Sequence, residues 1–270
     1  MIQLEICTFS PESCLNAQEG GADRVELCAG MYEGGTTPSY GLMQWARKHL
    51  TIEIHVMIRP RGGDFCYDEL EFDTMKSDIE MAKKLGCDGI VIGILLPNGS
   101  IDIERNQALI NLAKPLKTTF HRAFDLAIDP VEALEAVIEM GATRILTSGQ
   151  KDTAIEGKEL IKKLVWRAAG RIEIMAGSGV NIENAGELIK TGIDAIHLTA
   201  KSKKISTMTY RKQGINMASA YPVSEYEIMY SDIEIKTKLS QKSSLKEQFQ
   251  YDSGAIVGFM MVWYILRTFG

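Results

Sequence analysis

The stretch GGADRVELC, residues 20–28, joins a glycine turn directly to a short strand that ends in a cysteine. Its opening recurs three times further along the chain, as Gly86-Cys87-Asp88, Gly141-Ala142-Thr143 and Gly192-Ile193-Asp194. A glycine at such a junction ends a helix in the left-handed conformation and turns the chain into the next strand. The recurrence therefore predicts several helix-to-strand units in series.

Working outward from these junctions, eight short apolar segments have strand character, and helix-like stretches separate them. The predicted strands are residues 3–7, 24–28, 52–59, 89–93, 118–122, 144–148, 172–177 and 195–199. The predicted helices are residues 42–48, 72–85, 103–113, 130–140, 155–167 and 182–190. Eight strands alternating with helices predict a single α/β domain, a (β/α)8 or TIM barrel. A doubly wound open sheet is the alternative, although no Gly-x-Gly-x-x-Gly motif follows the first strand.

Composition narrows the classes of partner. The 270 residues suit a barrel of about 250 residues, and the net charge of −5 without a basic patch argues against nucleic acid. The chain opens on a predicted strand rather than a signal peptide, and its five cysteines are an odd number, so we expect reduced thiols and a cytoplasmic location. The apolar residues 255–266 fall short of the roughly 20 that span a membrane.

Strand alternation assigns the polar side chains to the barrel interior, because the apolar set on each strand should face the helices. The interior set includes Glu5 and Cys7 on the first strand, Arg24, Glu26 and Cys28 on the second, Glu53, His55, Met57 and Arg59 on the third, Glu173 and Met175 on the seventh and His197 on the eighth. Buried charges need partners. We expect Glu53, Glu173 and Arg144, early in their strands, to form a structural ion network.

A second group of polar residues comes at the carboxyl ends of the strands, where barrels place their sites. Cys7, Cys28, Arg59, His121 and Ser148 end their strands, and Arg61 follows directly. Three of the four histidines, His55, His121 and His197, share the inward register of three strands. This convergence favours a functional site at the barrel mouth over isolated core residues.

The cysteines suggest one chemistry for that site. Cys7 and Cys28 end neighbouring strands, which lie roughly 4.8 Å apart. Two thiolates so placed suit Cu(I), which prefers soft ligands, and a nearby cysteine or methionine could assist transfer. The alternative is that both are small buried hydrophobic residues. The cysteine and histidine spacing does not match a structural zinc motif.

The arginines and glycines suggest another chemistry, an enzyme acting on a small phosphorylated or carboxylated metabolite. Small residues follow strands six and seven, where barrels often bind phosphate. The residues expected to hold the anion are Glu26, Arg59, Arg61, His121, Arg122, Ser148, Gly177 and Gly179. His121 or His55 would act as general acid or base, with Asp125 as a further catalytic candidate. No lysine stands on an inward strand end, which argues against Schiff-base chemistry.

The same residues resemble the CutC family of copper homeostasis proteins. The matching segments are LEIC at residues 4–7, GGADRVELC at 20–28, EGGTTPS at 33–39, IRPRGGDFC at 58–66, TFHRAFD at 119–125, RILTSG at 144–149 and MAGSGV at 175–180. The resemblance runs from residue 2 to about residue 235. It implies a TIM barrel over residues 1–235, followed by an extension over 236–270 that is first polar and then apolar.

The resemblance also implies function. It implies a cytoplasmic homo-oligomer, a dimer or tetramer, that binds Cu(I) at Cys7 and Cys28 and has no established enzymatic reaction. Two features depart from the family pattern: HLTA at residues 197–200, where small serine-like residues are more usual, and the apolar end after about residue 253. Copper binding is thus the first expectation from the resemblance, and the anion-binding enzyme is the first from the residues alone. A scaffolding role would rest only on the apolar tail.

Overall fold

A computed structural model describes residues 2–212, 214 and 226–232. Its centre is a closed barrel of eight parallel strands in chain order, with β8 paired back to β1. The strands are β1 Gln3–Thr8, β2 Arg24–Leu27, β3 Glu53–Met57, β4 Gly89–Ile92, β5 Lys117–Phe120, β6 Arg144–Thr147, β7 Glu173–Ala176 and β8 Ala195–Leu198. The predicted TIM barrel is confirmed, and the β1–β8 pairing excludes the open sheet.

Seven α-helices connect these strands in the described part of the chain. They are α1 Pro11–Glu19, α2 Tyr40–His49, α3 Glu69–Lys84, α4 Ile103–Ala113, α5 Pro130–Glu139, α6 Lys158–Ala168 and α7 Ala185–Ile189. Local sequence explains where helices begin. The side chain of Asp68 accepts from the Glu71 N–H while the Glu71 carboxylate accepts from the Asp68 N–H, a capping box that starts α3.

Helices α6 and α7 begin three residues later than the sequence predicts, and side-chain hydrogen bonds explain the delay. Thr153 donates through its N–H and its hydroxyl to the Glu156 carboxylate, which closes a turn before α6. Asn181 and Asn184 exchange side-chain and backbone bonds before α7. Polar side chains that bond to nearby backbone compete with helix formation in this way.

The two faces of the strands divide as alternation predicts. Ile6, Val25 and Ile54 pack outward into the main apolar core beneath the helices. Cys7, Cys28, Met57 and Val91 form a separate buried cluster inside the barrel. The barrel lumen is therefore a distinct environment, in which sulfur-bearing side chains pack beside Val91.

Charged pairs occupy the amino-terminal half of the lumen. Arg24 pairs with Glu5, and its Nη1 donates to Gln3 Oε1 at 2.6 Å. Arg144 pairs with Glu173 at 2.5 Å, and Lys117 pairs with Glu53 at 2.5 Å. Glu173 and Arg144 thus form an ion pair, whereas Glu53 pairs separately with the partly exposed Lys117 instead of joining them in one network.

A hairpin follows β8 where a further helix would complete the eighth repeat. Strand β9, Lys201–Ile205, pairs antiparallel with β10, Glu227–Ser231. It packs on α1, since the Ser231 N–H donates to Ser13 Oγ at 3.0 Å and Asn16 Nδ2 donates to Ser231 O at 2.9 Å. The sequence did not predict this hairpin. Among the described residues, no helix is both long and apolar enough to cross a membrane, and residues 236–270 lie outside that part.

Gly89 offers a direct test of the packed lumen. A Cβ at this position would lie 2.7 Å from three atoms of the His55 ring, which is fully buried. Because the ring has no space to move into, we expect Gly89→Ala to lower the free energy of unfolding by about 1–3 kcal/mol. Urea denaturation monitored by circular dichroism measures this. Gly186→Ala is the control, since Gly186 lies in α7 with open space around it and should lose no stability. Equal stabilities of the two variants would contradict the packing argument.

Candidate functional site: a cavity at the barrel mouth

A cavity of about 620 Å³ opens at the carboxyl ends of the strands. Its walls combine sulfur-bearing, apolar, cationic and glycine residues from several strands and loops. They include Cys7, Phe9, Glu26, Met31, Met57, Arg59, Phe65, His121, Arg122, Ser178, Gly179, Asn181, His197, Thr199 and Lys201. A volume of this size suits a small-molecule site.

Of the two predicted thiols, Cys7 lines this cavity, and Cys28 lies beside it in the same buried cluster. Cys7 Sγ and Cys28 Sγ are 3.7 Å apart, and Cys28 Sγ donates to Glu26 Oε2 at 3.4 Å. The proximity follows from the β1–β2 register, in which Cys7 pairs with Glu26 and the Cys28 N–H donates to Thr8 O. Neither sulfur is in a disulfide.

His197 lies on β8, the other neighbour of β1, and its side chain is close to Cys7. Ligand atoms of Cys7, Glu26 and His197 all lie within 4.8 Å of one another, a grouping that could hold a metal ion. The His197 ring is oriented by Glu5, whose Oε1 lies 2.7 Å from Nδ1, and its Nε2 is 3.7 Å from Glu26 Oε2. Sequence reasoning placed His197 inward but did not assign it to the thiols; its pairing opposite Glu5 across β1 and β8 is the missing signal.

Electrostatics differ sharply between the two thiols. The Cys28 hydrogen bond, with the His197 ring beside it, lowers the pKa of Cys7 to about 6 in spite of burial. Burial and the neighbouring Cys7 raise the pKa of Cys28 above its usual value. Burial likewise raises the pKa of Glu26, while Glu26, Cys7 and Glu5 outweigh burial and raise that of His197. Of the two thiols, Cys7 is therefore the one favoured as a thiolate.

The residues of this cluster fit a soft metal ion. Thiolate sulfur and imidazole nitrogen are ligands that copper accepts, and the thioether of Met57 packs in the same buried cluster. Glu26 Oε1 is buried without a hydrogen-bond partner among the described residues. An orphaned acceptor of this kind indicates a site for an ion, a water or a ligand.

The three arginines expected to hold an anion have different surroundings. The Arg59 guanidinium donates to the backbone oxygens of Glu33, Gly35 and Gly63 at 2.6–2.8 Å, so most of its donors serve loop structure. Arg61 pairs with Glu71 at 2.5 Å and does not line the cavity.

Arg122 does line the cavity. Its two side-chain partners, Asp125 and Ser148, also form hydrogen bonds within the neighbouring loops. Its Nε donates to Asp125 Oδ2 at 2.8 Å and its Nη2 to Ser148 Oγ at 2.9 Å. Asp125 also accepts from Thr147 Oγ1, from the Ser148 hydroxyl and from the N–H groups of Ser148 and Gln150. Asp125 and Ser148 therefore tie the loops after β5 and β6 together. With its acceptor capacity filled, Asp125 lacks the free lone pair of a general base.

The three inward-facing histidines lie at different depths in the barrel. His121 lines the cavity, packed against Phe65 at 4.8 Å between ring centroids. The Ala123 N–H donates to its Nδ1 at 3.2 Å, and its Nε2 is buried without a partner among the described residues. His55 lies deeper, 3.5 Å from Glu53, and is not part of the cavity wall. The mouth thus contains His121 and His197 but not His55.

The glycines of the β7 loop permit close packing. A Cβ at Gly177 would lie 2.5 Å from Leu146 Cδ1, and Gly179 has a φ of +67°. Gly179 lines the cavity, whereas Gly177 supports its wall from behind.

Comparison with known proteins places this architecture in a family. A family model described as the CutC family matches residues 2–202. A protein of Bacteroides thetaiotaomicron, named as a CutC family protein, is 52% identical over 227 residues, which are 83% of this chain and 91% of that one. The chain belongs to the CutC family. The human relative, named copper homeostasis protein cutC homolog, is 44% identical over 231 residues, 85% of each chain.

A solved CutC structure shares the barrel. The crystal structure of a Streptococcus agalactiae protein that carries the CutC name matches with a TM-score of 0.71 and 39% sequence identity. The match covers 74% of this chain and 99% of that one. The resemblance stated from the sequence motifs is therefore confirmed at the level of family and fold.

The environment of His121 gives a prediction about its charge. Burial and the nearby Arg59 lower the pKa of His121 to about 3. We therefore expect a neutral ring between about pH 5 and pH 8, with its proton on Nε2 because Nδ1 accepts from Ala123. Long-range nitrogen–proton NMR correlations report both properties, and their loss in His121→Gln assigns them. A titration with a midpoint near neutrality would contradict this environment.

Proposed function

We propose that the protein binds Cu(I) at the barrel mouth through Cys7 and Cys28, as a copper homeostasis protein of the cytoplasm. The observation that supports this proposal is the 3.7 Å separation of the two buried sulfur atoms, one of which, that of Cys7, belongs to the cavity lining. The names of the human and mouse relatives refer to copper homeostasis. In this proposal copper is the cargo of the protein rather than a resident cofactor.

The cluster is already arranged for such an ion. The thiolate is the form of cysteine that binds metals, and the pKa of Cys7, about 6, favours that form near neutral pH. His197 is held by Glu5, so its orientation toward Cys7 and Glu26 does not depend on the ion. Preorganised ligands lose little conformational entropy on binding.

The surroundings favour Cu(I) over a hard cation. Met57, Val91 and Phe9 pack with the thiols and offer no oxygen ligand, and Glu26 is the one carboxylate grouped with Cys7 and His197. Met31 also lines the cavity and provides a second thioether there. Hard ions such as Mg²⁺ and Ca²⁺ prefer several oxygen ligands, whereas soft sulfur selects Cu(I). We propose that the thioethers assist the passage of copper through the cavity.

We also propose that the protein is a homo-oligomer. Exposed apolar side chains on the mouth side, including Leu96, Leu126 and Ile128, are the described surface that a second copy could cover. The cytoplasmic assignment rests on five unpaired cysteines in the described chain, since free thiols suit a reducing compartment.

Removal of the thiols tests the copper proposal. The purified protein should bind one equivalent of Cu(I) in an anaerobic reducing buffer, and the double variant with Cys7→Ser and Cys28→Ser should bind none. Competition with a chromogenic Cu(I) chelator measures the affinity. Cys66→Ser is the matched control, because Cys66 lies outside the cavity and should leave binding unchanged. Full stoichiometric binding by the double variant, folded by circular dichroism, would refute the assignment.

A substitution at His197 tests the same copper site by removing one proposed ligand while the thiols remain. We expect His197→Gln to weaken Cu(I) binding by about tenfold to a hundredfold, because it removes a nitrogen ligand while the thiols remain. His49→Gln is the comparison, since His49 is exposed at the end of α2. Equal affinities of the two variants would exclude His197 from the site.

A further inference from the structure

The wall of the cavity formed by the loops after β7 and β8 exposes backbone donors. In the part of the chain that the structure describes, the N–H groups of Ser178, Gly179, Val180 and Thr199 donate no hydrogen bond. All four residues line the cavity. Val180 is buried, Ser178 and Thr199 are half-buried and Gly179 is exposed. Their N–H groups are therefore available to an anion that enters the cavity, because successive backbone donors in a loop form anion sites.

Positive charge dominates the same cavity. Its lining contains Arg59, Arg122 and Lys201, and Glu26 is the single carboxylate among the lining residues described. Arg59 and Arg122 already have partners, as described above. The Lys201 ammonium group is exposed and makes no hydrogen bond or ion pair within the described residues. Lys201 is therefore a free cation beside the β8 loop.

Buried polar atoms without partners occur on the other side of the cavity. Glu26 Oε1, Arg59 Nε and His121 Nε2 all lack a hydrogen-bond partner among the described residues. Each belongs to a residue that is at least nine-tenths buried and lines the cavity. Such groups normally find a partner in native proteins, and here they indicate where the polar part of a ligand would lie.

We propose that the cavity binds a small phosphomonoester, with its phosphate held by the loops after β7 and β8 and its organic part directed toward His121 and Glu26. A phosphate group presents three strong acceptor oxygens, which suits four backbone donors and an ammonium group. A carboxylate has only two oxygens. Barrels frequently bind phosphate at the loops after strands seven and eight, and concave sets of backbone N–H groups bind anions.

This site goes beyond copper binding and requires neither thiol. Its donors come from the loops after β7 and β8 and from the start of β9, whereas the sulfur atoms belong to β1 and to the residue that follows β2. Phosphate binding can be measured on protein freed of copper, and Cu(I) binding can be measured without phosphate. Failure of one proposal therefore leaves the other open to its own test.

Amide NMR on the full chain tests the inference. Titration of nitrogen-15-labelled protein with inorganic phosphate and with glycerol 3-phosphate should shift the amide signals of Ser178, Gly179 and Thr199 in a saturable manner. The ester should bind more tightly than phosphate because its hydroxyl groups reach the unpaired atoms. Lys201→Met should weaken ester binding about tenfold, the effect of one charge-assisted hydrogen bond.

Lys203→Met is the matched control, since Lys203 lies two residues further along β9, pairs with Glu227 and does not line the cavity. It should bind the ester as the unmodified protein does. The proposal is overturned if the loop amides do not shift, if the ester binds no more tightly than phosphate, or if Lys201→Met and Lys203→Met bind equally.

Discussion

The Glu5 carboxylate is the constraint on which the rest of this barrel depends. It is fully buried, and a buried carboxylate is tolerated only with partners. Arg24 supplies one from β2 and His197 the other from β8, so Glu5 joins the first strand to both of its neighbours. These two contacts hold the pKa of Glu5 below its usual value although burial acts in the opposite direction. The carboxylate therefore links the closure of the barrel to its interior charge.

This link also builds the sulfur site. Because Glu5 holds Nδ1 of His197, the Nε2 edge of the ring points toward Glu26 and Cys7. The ionic layer below and the thiols above are thus one connected structure. A change in the lower layer would alter the ring that helps to keep the Cys7 thiol acidic. The candidate copper site consequently depends on residues that contact no ligand themselves.

Sequence reasoning recovered those parts of the molecule that follow from periodicity. Eight strands and the inward set of polar residues are consequences of a two-residue repeat, which is enough to place Cys7, Cys28, Glu26 and His197 inside the barrel. The roles of Arg59 and Arg61 did not follow from periodicity. Their partners are backbone oxygens and a Glu71 carboxylate that come within reach only after two long loops have folded. The hairpin after β8 was missed because β10 lies far along the chain from β9.

Residue identity alone also fails to distinguish the cysteines. Cys14 and Cys87 are buried like Cys7, and burial raises the pKa of each to about 11. Cys7 has a pKa of about 6 since a second thiol and an imidazole adjoin it. The difference arises from two neighbours of Cys7. Cys28 follows β2 and His197 lies in β8, 21 and 190 residues away from Cys7 along the chain. Closure of the barrel brings them together, and a site of this kind can be identified only from the strand register that closure imposes.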